Sequence, residues 1–204
     1  LCIFLFSLNL NKEFVGHHDF NSVYFSQIAR NLISYSPLYT KFGQILGYGN
    51  LDPKNFNYYV DNIPLYPWIL SVFFLFFKVG VWQARIVTII AALFSAIYVY
   101  KIGLFIFNKL TAYLGVLFFA LSAMMIYFSS IVFPDQLAMA FVLGAFYYYL
   151  KWLKEDQSKD YYLLILFLIL SQLTLWSSYF LSPLIFFHYF ITHKNKLSKK
   201  TILL

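Results

Sequence analysis

Two imidazoles and a carboxylate stand side by side in the sequence at His17, His18 and Asp19. They open a polar loop over residues 11–63, and the chain after this loop is strongly apolar. Imidazoles and carboxylates are common general bases in enzymes. A base at a membrane surface would act on a substrate that is itself lipid-bound, so this loop is the first candidate for chemistry.

Asp19 has two interpretations. It could be the general base, or it could be the N-cap of a helix predicted over residues 20–34, since aspartate is a preferred cap; one side chain could do both. His17, His18 and Asp19 are weak candidates for a divalent metal site, because adjacent residues rarely ligate one ion well and no third spaced ligand is evident.

A second acidic position is Asp135, which follows Pro134 and precedes an apolar segment. Proline at a helix start loses no hydrogen bond, so the sequence predicts a helix start here. From its position alone, Asp135 could be the cap of this helix. Arg30 is either a partner for a substrate phosphate or a solvated side chain on its helix.

The composition indicates a polytopic membrane protein. Hydrophobic residues make up 61% of the chain and charged residues 11%, against about 45–50% and about 25% in soluble domains. The net charge of +7 comes from lysines at the ends of apolar runs, where they would face anionic lipid on the cytoplasmic side. No nucleic-acid partner is implied, and the single cysteine, Cys2, allows no disulfide within the chain.

The apolar pattern divides the chain into segments that must position these groups. Residues 1–10 are too short to cross a membrane, which needs about 20 residues, and are interpreted as the end of a first transmembrane helix in a fragment. Five segments follow, at 64–77, 86–107, 112–132, 137–150 and 161–191. The last is expected to cross twice, with a break at Ser177, Ser178 and Pro183 that places 177–179 on the outer side.

Loops 151–160 and 194–200 carry the strongest lysine bias and are predicted to be cytoplasmic. Loop 11–63 and Asp135 are then extracytoplasmic, with Lys78 and Arg85 cytoplasmic after the second helix. Three segments (64–77, 86–107 and 112–132) then lie between the loop and Asp135, which are on the same side of the membrane. Three full crossings cannot connect two points on one side, so one segment must be re-entrant or two must share a crossing. Lys101 lies inside a segment but close enough to its end to reach the membrane surface.

Within the loop, residues 20–34 predict an amphipathic helix lying on the outer leaflet. Its apolar half holds Phe20, Tyr24, Phe25, Ile28, Ala29 and Leu32, and its polar half holds Ser22, Ser26, Gln27, Arg30 and Ser34. Residues 35–57 show no period, which suits a substrate-facing loop or a flexible connector.

The order of these features resembles the integral-membrane GT-C glycosyltransferases of the protein mannosyltransferase and aminoarabinose transferase type. The similar pieces are Asp19 after the first helix, Tyr24 with residues 28–31, the stretch 59–67, the helix start at 81–85 and the residues 134–137. The family often has a second carboxylate where this chain has Phe20, so any role of that group is lost or supplied elsewhere.

The resemblance implies that a sugar moves from a polyprenyl-phosphate donor to a lipid, glycan or protein acceptor, with inversion in a single displacement. It implies catalytic roles for Asp19 as general base and for Asp135. Substrate-binding roles fall to His18, Tyr24, Arg30, Tyr59, Asp61 and Asn62. No cofactor is certain, although a divalent metal is possible, and the partners are the donor and membrane lipid.

The predicted architecture is an all-α, polytopic transmembrane bundle with an extracytoplasmic loop that carries the amphipathic helix. Residues 1–204 form one domain: the end of a first helix (1–10), the loop (11–63), transmembrane helices (64–191) and a basic segment that starts another helix (192–204). The expected location is the cytoplasmic membrane of a prokaryote. Two other classes stay open: a transporter or flippase of lipid-linked sugars, which should show charged or broken helices at mid-membrane, and a non-catalytic membrane subunit.

Overall fold

A computed structural model of the chain describes residues 1–192, so the predicted basic segment at 194–200 lies outside the described residues. The fold is all-α apart from one short antiparallel ladder. The helices are α1 (Cys2–Phe6), α2 (Asp19–Ser34), α3 (Leu65–Phe77), α4 (Val81–Ile106), α5 (Lys109–Leu121), α6 (Ala123–Phe128), α7 (Pro134–Glu155), α8 (Ser158–Thr174) and α9 (Leu181–Thr192), with a 3₁₀ helix at Trp176–Phe180. Strands β1 (Gln44–Leu46) and β2 (Asn57–Tyr59) pair within the polar loop, in a stretch for which the sequence predicted no regular structure.

The long helices form a bundle with two distinct ends. Helices α4 and α7 run in the same direction, since the Tyr98 ring contacts Tyr147 and the Lys154 ammonium lies over the Phe105 ring. Helix α5 returns along α4 from the turn at 107–108, and α8 returns along α7 from the turn at 156–157. We call the end with these two turns the hairpin end, and the opposite end, where α4 and α7 begin, the loop end.

Two helix contacts depend on glycine. A β-carbon on Gly103 would lie 2.9 Å from the Cα of Ala112, and one on Gly144 would lie 2.4 Å from the Phe167 ring. Both distances are shorter than real contacts, so these glycines let α4 approach α5 and α7 approach α8 closely.

Helix α3 lies across the loop end and does not run along the bundle. At its start, the Tyr66 and Thr88 hydroxyls are 2.8 Å apart, and at its end the Phe77 carbonyl accepts a hydrogen bond from Gln83. Gln83 and Thr88 are less than two turns apart on α4, about 7.5 Å, whereas α3 is about 20 Å long. Both ends of α3 therefore lie near the start of α4.

This placement corrects the predicted side of Arg85. The sequence placed Lys78 and Arg85 on the side opposite the polar loop, but the Arg85 guanidinium forms an ion pair with Asp19 of that loop at 3.2 Å. The prediction was wrong because it treated 64–77 as a crossing helix. Of the three segments left unresolved by the sequence, this one is the segment that does not run the length of the bundle.

Two of the apolar segments, 112–132 and 161–191, are each broken into shorter helices. Segment 112–132 divides at Ser122, whose extended backbone separates α5 from α6. Segment 161–191 divides at Leu175, and the predicted break at Ser177 and Ser178 is the 3₁₀ helix. Pro183 does not form the break, since it lies in the first turn of α9, where proline is tolerated.

Helix α2 is predicted almost to the residue, but its buried surface is wider than one apolar face. Phe25 and Ile28 pack with α3 and α4, whereas Phe20 is 72% exposed and Ser22 and Gln27 are buried. The polar residues are buried because they hold neighbouring backbone: the Gln27 amide donates to the Gly47 carbonyl.

Among the described residues, one helix, α4, is long and apolar enough to cross a membrane. Helices α3 and α5 are apolar but shorter.

Candidate functional site

Asp19 is the first residue of α2, directly after the N-cap residue His18. Its carboxylate accepts hydrogen bonds from the Gly16 amide at 2.8 Å and the Ser22 hydroxyl at 3.2 Å. A β-carbon at Gly16 would come within 2.9 Å of this carboxylate, so glycine is needed for the close approach. A negative charge in the first turn of a helix is favourable, although Asp19 does not occupy the cap position that the sequence allowed for it.

Arg85 is the main partner of Asp19 and was missed as a site residue by the sequence analysis. Its side chain is 1% exposed, and one of its nitrogens lies 3.2 Å from a carboxylate oxygen of Asp19. The guanidinium also donates to the Lys12 carbonyl at 2.9 Å and the Ser130 carbonyl at 2.6 Å. Arg85 therefore joins three chain segments at one point. An arginine in the first turn of a strongly apolar helix was the available signal.

The Asp19 region is tied to the segment that precedes α7. The Ser22 hydroxyl, which donates to Asp19, accepts a hydrogen bond from the Val132 amide at 3.0 Å. The His18 ring lies 5.2 Å from the Phe128 ring. Asp19 and the start of α7 are thus linked through short polar and aromatic contacts.

Asp135 follows Pro134 in the first turn of α7 and is exposed. It borders a cavity of about 550 Å³ that we call the methionine cavity, and it is the sole charged residue of its lining. The other lining residues include Met124, Met125, Phe128, Met139, Ser177 and Ser178. Asp19 is not part of this lining.

The pKa of the Asp135 carboxyl is raised, although the residue is exposed. The surrounding protein atoms remove part of the hydration of the charged form. Asp135 precedes the apolar stretch at 137–150 and so lies outside the predicted membrane segment. Beside it, the buried Gln136 side chain has an amide oxygen with no hydrogen-bond partner in the described part of the chain.

A second cavity, of about 450 Å³, lies on the other side of the 3₁₀ helix. We call it the amide cleft. It is lined by three segments: the start of β1, the stretch 59–64 after β2, and the end of α8 with the 3₁₀ helix. Its lining includes the side chains of Gln44, Tyr59, Asp61, Asn62, Trp176 and Tyr179.

Three of the predicted substrate-binding residues, Tyr59, Asp61 and Asn62, line this cleft. The Tyr24 ring packs against the Tyr59 ring at 5.3 Å, and burial raises the pKa of both phenols. Both therefore stay neutral at physiological pH.

Arg30 and His18 lie elsewhere. Arg30 donates to the Asn31 side chain at 3.2 Å, and its guanidinium lies over the Tyr48 ring. His18 lies on the Asp19 side, near Phe128. The predicted site residues therefore form two groups. His18, Asp19 and Asp135 lie at the starts of α2 and α7, and Tyr24, Tyr59, Asp61 and Asn62 lie in or beside the amide cleft. Arg30 belongs to neither group and lies near Tyr48.

No group of three histidine, cysteine or carboxylate side chains within residues 1–192 is arranged to hold a metal ion. His17 and His18 make an edge-to-face ring contact at 4.8 Å, and the Asp19 oxygens are already bound by Arg85, Gly16 and Ser22. These residues do not fit the weak metal site considered from the sequence.

Residues 61–204 match the family model described as dolichyl-phosphate-mannose-protein mannosyltransferase. The matched range includes Asp61, Arg85 and Asp135, whereas Asp19 precedes it. No curated protein and no solved structure matches the chain.

Proposed function

Because the chain belongs to the dolichyl-phosphate-mannose-protein mannosyltransferase family, a family of membrane glycosyltransferases, we propose that it transfers a sugar from a polyprenyl-phosphate donor to an acceptor hydroxyl on the extracytoplasmic face. The observation that carries this proposal is the oriented carboxylate of Asp19 at the loop end, held by Arg85 and tied to the segment beside Asp135. Two acidic groups at one end of an apolar bundle suit chemistry at a membrane surface.

The distribution of lysines supports this orientation. Five of the nine lysines in residues 1–192 (Lys101, Lys109, Lys151, Lys154 and Lys159) lie in or near the two short turns of the hairpin end, whereas three lie in the polar loop and Lys78 follows α3. Lysines flanking apolar helices favour the cytoplasmic side. The hairpin end is then cytoplasmic and the loop end extracytoplasmic, with α4, α7 and α8 crossing the membrane and α3 lying at its outer surface.

In the proposed reaction, the carboxylate of Asp19 accepts the proton of the acceptor hydroxyl as the hydroxyl oxygen forms a bond to the anomeric carbon. The bond from that carbon to the phosphate oxygen breaks, and its electron pair leaves with the polyprenyl phosphate. Attack from the face opposite the phosphate inverts the anomeric centre. Arg85 is a positioning residue, because it acts on the reaction by fixing the Asp19 carboxylate through their ion pair.

Asp135 is proposed to face the sugar of the donor from the methionine cavity. Glycosyl transfer passes through an oxocarbenium-like transition state with positive charge on the sugar ring, and a carboxylate that has lost part of its hydration stabilises such charge better than a fully hydrated one. The apolar lining around Asp135, with Met124 and Phe128, suits the first isoprene units of the lipid carrier.

The apolar cavity within the bundle supports a transferase over a transporter. This cavity, of about 310 Å³, lies between α3, α4, α7 and α8, and its lining has no charged side chain. Lys101, the cation inside an apolar segment, lies over the Tyr98 and Tyr147 rings near the hairpin end. A transporter of lipid-linked sugars would need charged groups where this cavity has none.

The experiment is transfer of radiolabelled sugar from polyprenyl-phosphate donors in membranes carrying the full-length protein. Asp19→Asn should lower kcat by about 10²–10⁴-fold, because it removes the proton acceptor. The matched control is Asp52→Asn, which changes an exposed carboxylate in the same loop that binds only its own turn.

The amount of folded protein is measured for each variant by its melting curve, because Asp19→Asn also disturbs a buried ion pair. Undiminished transfer by a folded Asp19→Asn variant would contradict Asp19 as base. Absence of transfer by the wild type with every donor would contradict the glycosyltransferase function.

A further inference from the structure

We propose that the amide cleft binds an uncharged pyranose ring of the acceptor, so that the acceptor is a glycan or glycoside. This inference rests on the proposed function and adds the class of acceptor. It is carried by four properties of the cleft: its free hydrogen-bond acceptors, its charge, its aromatic side chains and its place beside the methionine cavity.

The free polar atoms of the cleft are hydrogen-bond acceptors. The side-chain oxygens of Gln44 and Asn62 are buried and have no hydrogen-bond partner among residues 1–192. The donors of the same amides are already used, since the Gln44 amide nitrogen donates to the Asn62 carbonyl at 2.6 Å and the Asn62 amide nitrogen to the Tyr59 hydroxyl at 3.1 Å. A buried acceptor without a partner is destabilising, so a ligand rich in donors is favoured.

The charge of the cleft disfavours an anion. Its lining contains the carboxylate of Asp61 and no lysine or arginine. A phosphate would meet like charge and no cationic partner, so the donor phosphate is not the occupant. Sugar hydroxyls supply donors without charge, and Asp61 can accept two of them.

The aromatic side chains provide a surface for a ring. Trp176 and Tyr179 are 59% and 48% exposed, and Tyr59 is partly buried in the same cleft. Exposed aromatic rings around a polar pocket pack against apolar faces while the pocket binds polar groups. A pyranose has such C–H faces with hydroxyls around its edge. The volume of about 450 Å³ falls in the range of small-ligand sites.

The 3₁₀ helix explains why two cavities share one wall. Side chains three residues apart eclipse in this helix, so Trp176 and Tyr179 project together into the amide cleft. Ser177 and Ser178, between them in the sequence, line the methionine cavity with Asp135. The amide cleft and the methionine cavity are therefore neighbours, with one short element between them.

The first test measures binding directly, with the full-length protein in nanodiscs and without a donor. The probes are cellobiose, lactose and methyl α-mannoside, detected by saturation-transfer NMR, with glucose 1-phosphate as an anionic probe and tetramethylammonium as a cationic one. We expect at least one neutral saccharide to bind. Trp176→Ala and Asp61→Asn should lower its affinity at least tenfold. The controls, Trp82→Ala and Asp52→Asn, change an exposed indole and an exposed carboxylate outside the described cavities and should leave binding unchanged.

The outcomes separate the two proposals. Binding of tetramethylammonium but of no saccharide would overturn this inference in favour of a cation site, because aromatic rings with a carboxylate also bind cations. Equal saccharide affinity in the wild type and in both cleft variants would overturn it as well.

In the transfer assay, Trp176→Ala should raise the KM for a glycan acceptor at least tenfold while the KM for the donor stays unchanged. Transfer that proceeds with an unchanged acceptor KM would reject the cleft and keep the glycosyltransferase, whereas saccharide binding without any transfer would reject the transferase and keep the cleft.

Discussion

Asp19 and Asp135 are both carboxylates in the first turn of a helix at the loop end, but their surroundings differ. Asp19 is 4% exposed and has Arg85, Gly16 and Ser22 as partners, whereas Asp135 is exposed at the rim of a cavity. Substitution of Asp19 therefore changes both the fold and the proposed chemistry, while substitution of Asp135 changes the cavity alone. The activity of an Asp135 variant therefore measures the chemistry directly, whereas the activity of an Asp19 variant must first be corrected for lost stability.

The largest expected effect is on stability, from Arg85→Ala. This change leaves the Asp19 carboxylate and the Lys12 and Ser130 carbonyls without their donor. Loss of one partner of a buried ion pair costs about 3–5 kcal/mol, so the purified protein in detergent should melt at a clearly lower temperature. Arg30→Ala is the matched control, since its single side-chain bond is to a neighbouring residue.

A double variant sharpens the test. Because Asp19→Leu with Arg85→Met removes both charges together, it should be more stable than either single variant. If Arg85→Ala melts at the same temperature as the wild type, the ion pair does not hold the loop. The proposed difference between Asp19 and Asp135 would then be wrong.

Asp135→Asn should lower kcat by about 10²-fold with a melting temperature that does not fall, because the side chain stabilises charge in the transition state but supports no other element. The readout is transfer of radiolabelled sugar, normalised to folded protein. A melting temperature that falls as far as that of Arg85→Ala would show that both carboxylates are structural.

The pH dependence gives a third test. Since the pKa of Asp135 is raised, its carboxylate is lost at a higher pH than that of a free aspartate when the solution is acidified. The kcat of the wild type should therefore rise with pH through this raised pKa, and this rise in kcat should be absent in Asp135→Asn.

The effect of pH on stability has the opposite sign. A raised pKa favours the protonated form in the fold, so the contribution of Asp135 to stability decreases as pH rises. Identical pH profiles for the two proteins would remove Asp135 from the chemistry.

The smallest expected effect is that of Arg30→Gln on the KM for the donor. Arg30 contacts Asn31 and the Tyr48 ring and does not line the methionine cavity or the amide cleft. An exposed cation–π contact contributes about 0.5–1 kcal/mol, so the KM should change less than about fivefold. A rise comparable to the loss of activity in Asp19→Asn would restore Arg30 as a phosphate partner.

Local sequence patterns predicted the helices well. The start of α2, the start of α7 after Pro134 and the break at Ser177 were all read from the chain, because periodicity, capping preferences and proline act over a few residues. The β1–β2 ladder was missed, since three-residue strands separated by ten residues leave no periodic signal.

The polar residues of α2 show where local patterns fail. Ser22 and Gln27 belong to the polar half of the helical wheel, yet both are buried against loops distant in sequence. A wheel measures polarity and cannot tell a solvated side chain from one that binds a buried backbone amide or carbonyl.

The sequence by itself determined the membrane-like composition, the helix positions, the polar loop and the family resemblance, because these follow from residue types and their spacing. Tertiary structure alone decided that Arg85 pairs with Asp19 across sixty-six positions, that α3 lies across the loop end, and that Asp61 shares a cleft with Trp176. These contacts depend on how helices fold back on one another. A sequence pattern records the preference of each segment, and the position of one segment against another is fixed only by packing and by the need to satisfy buried charges.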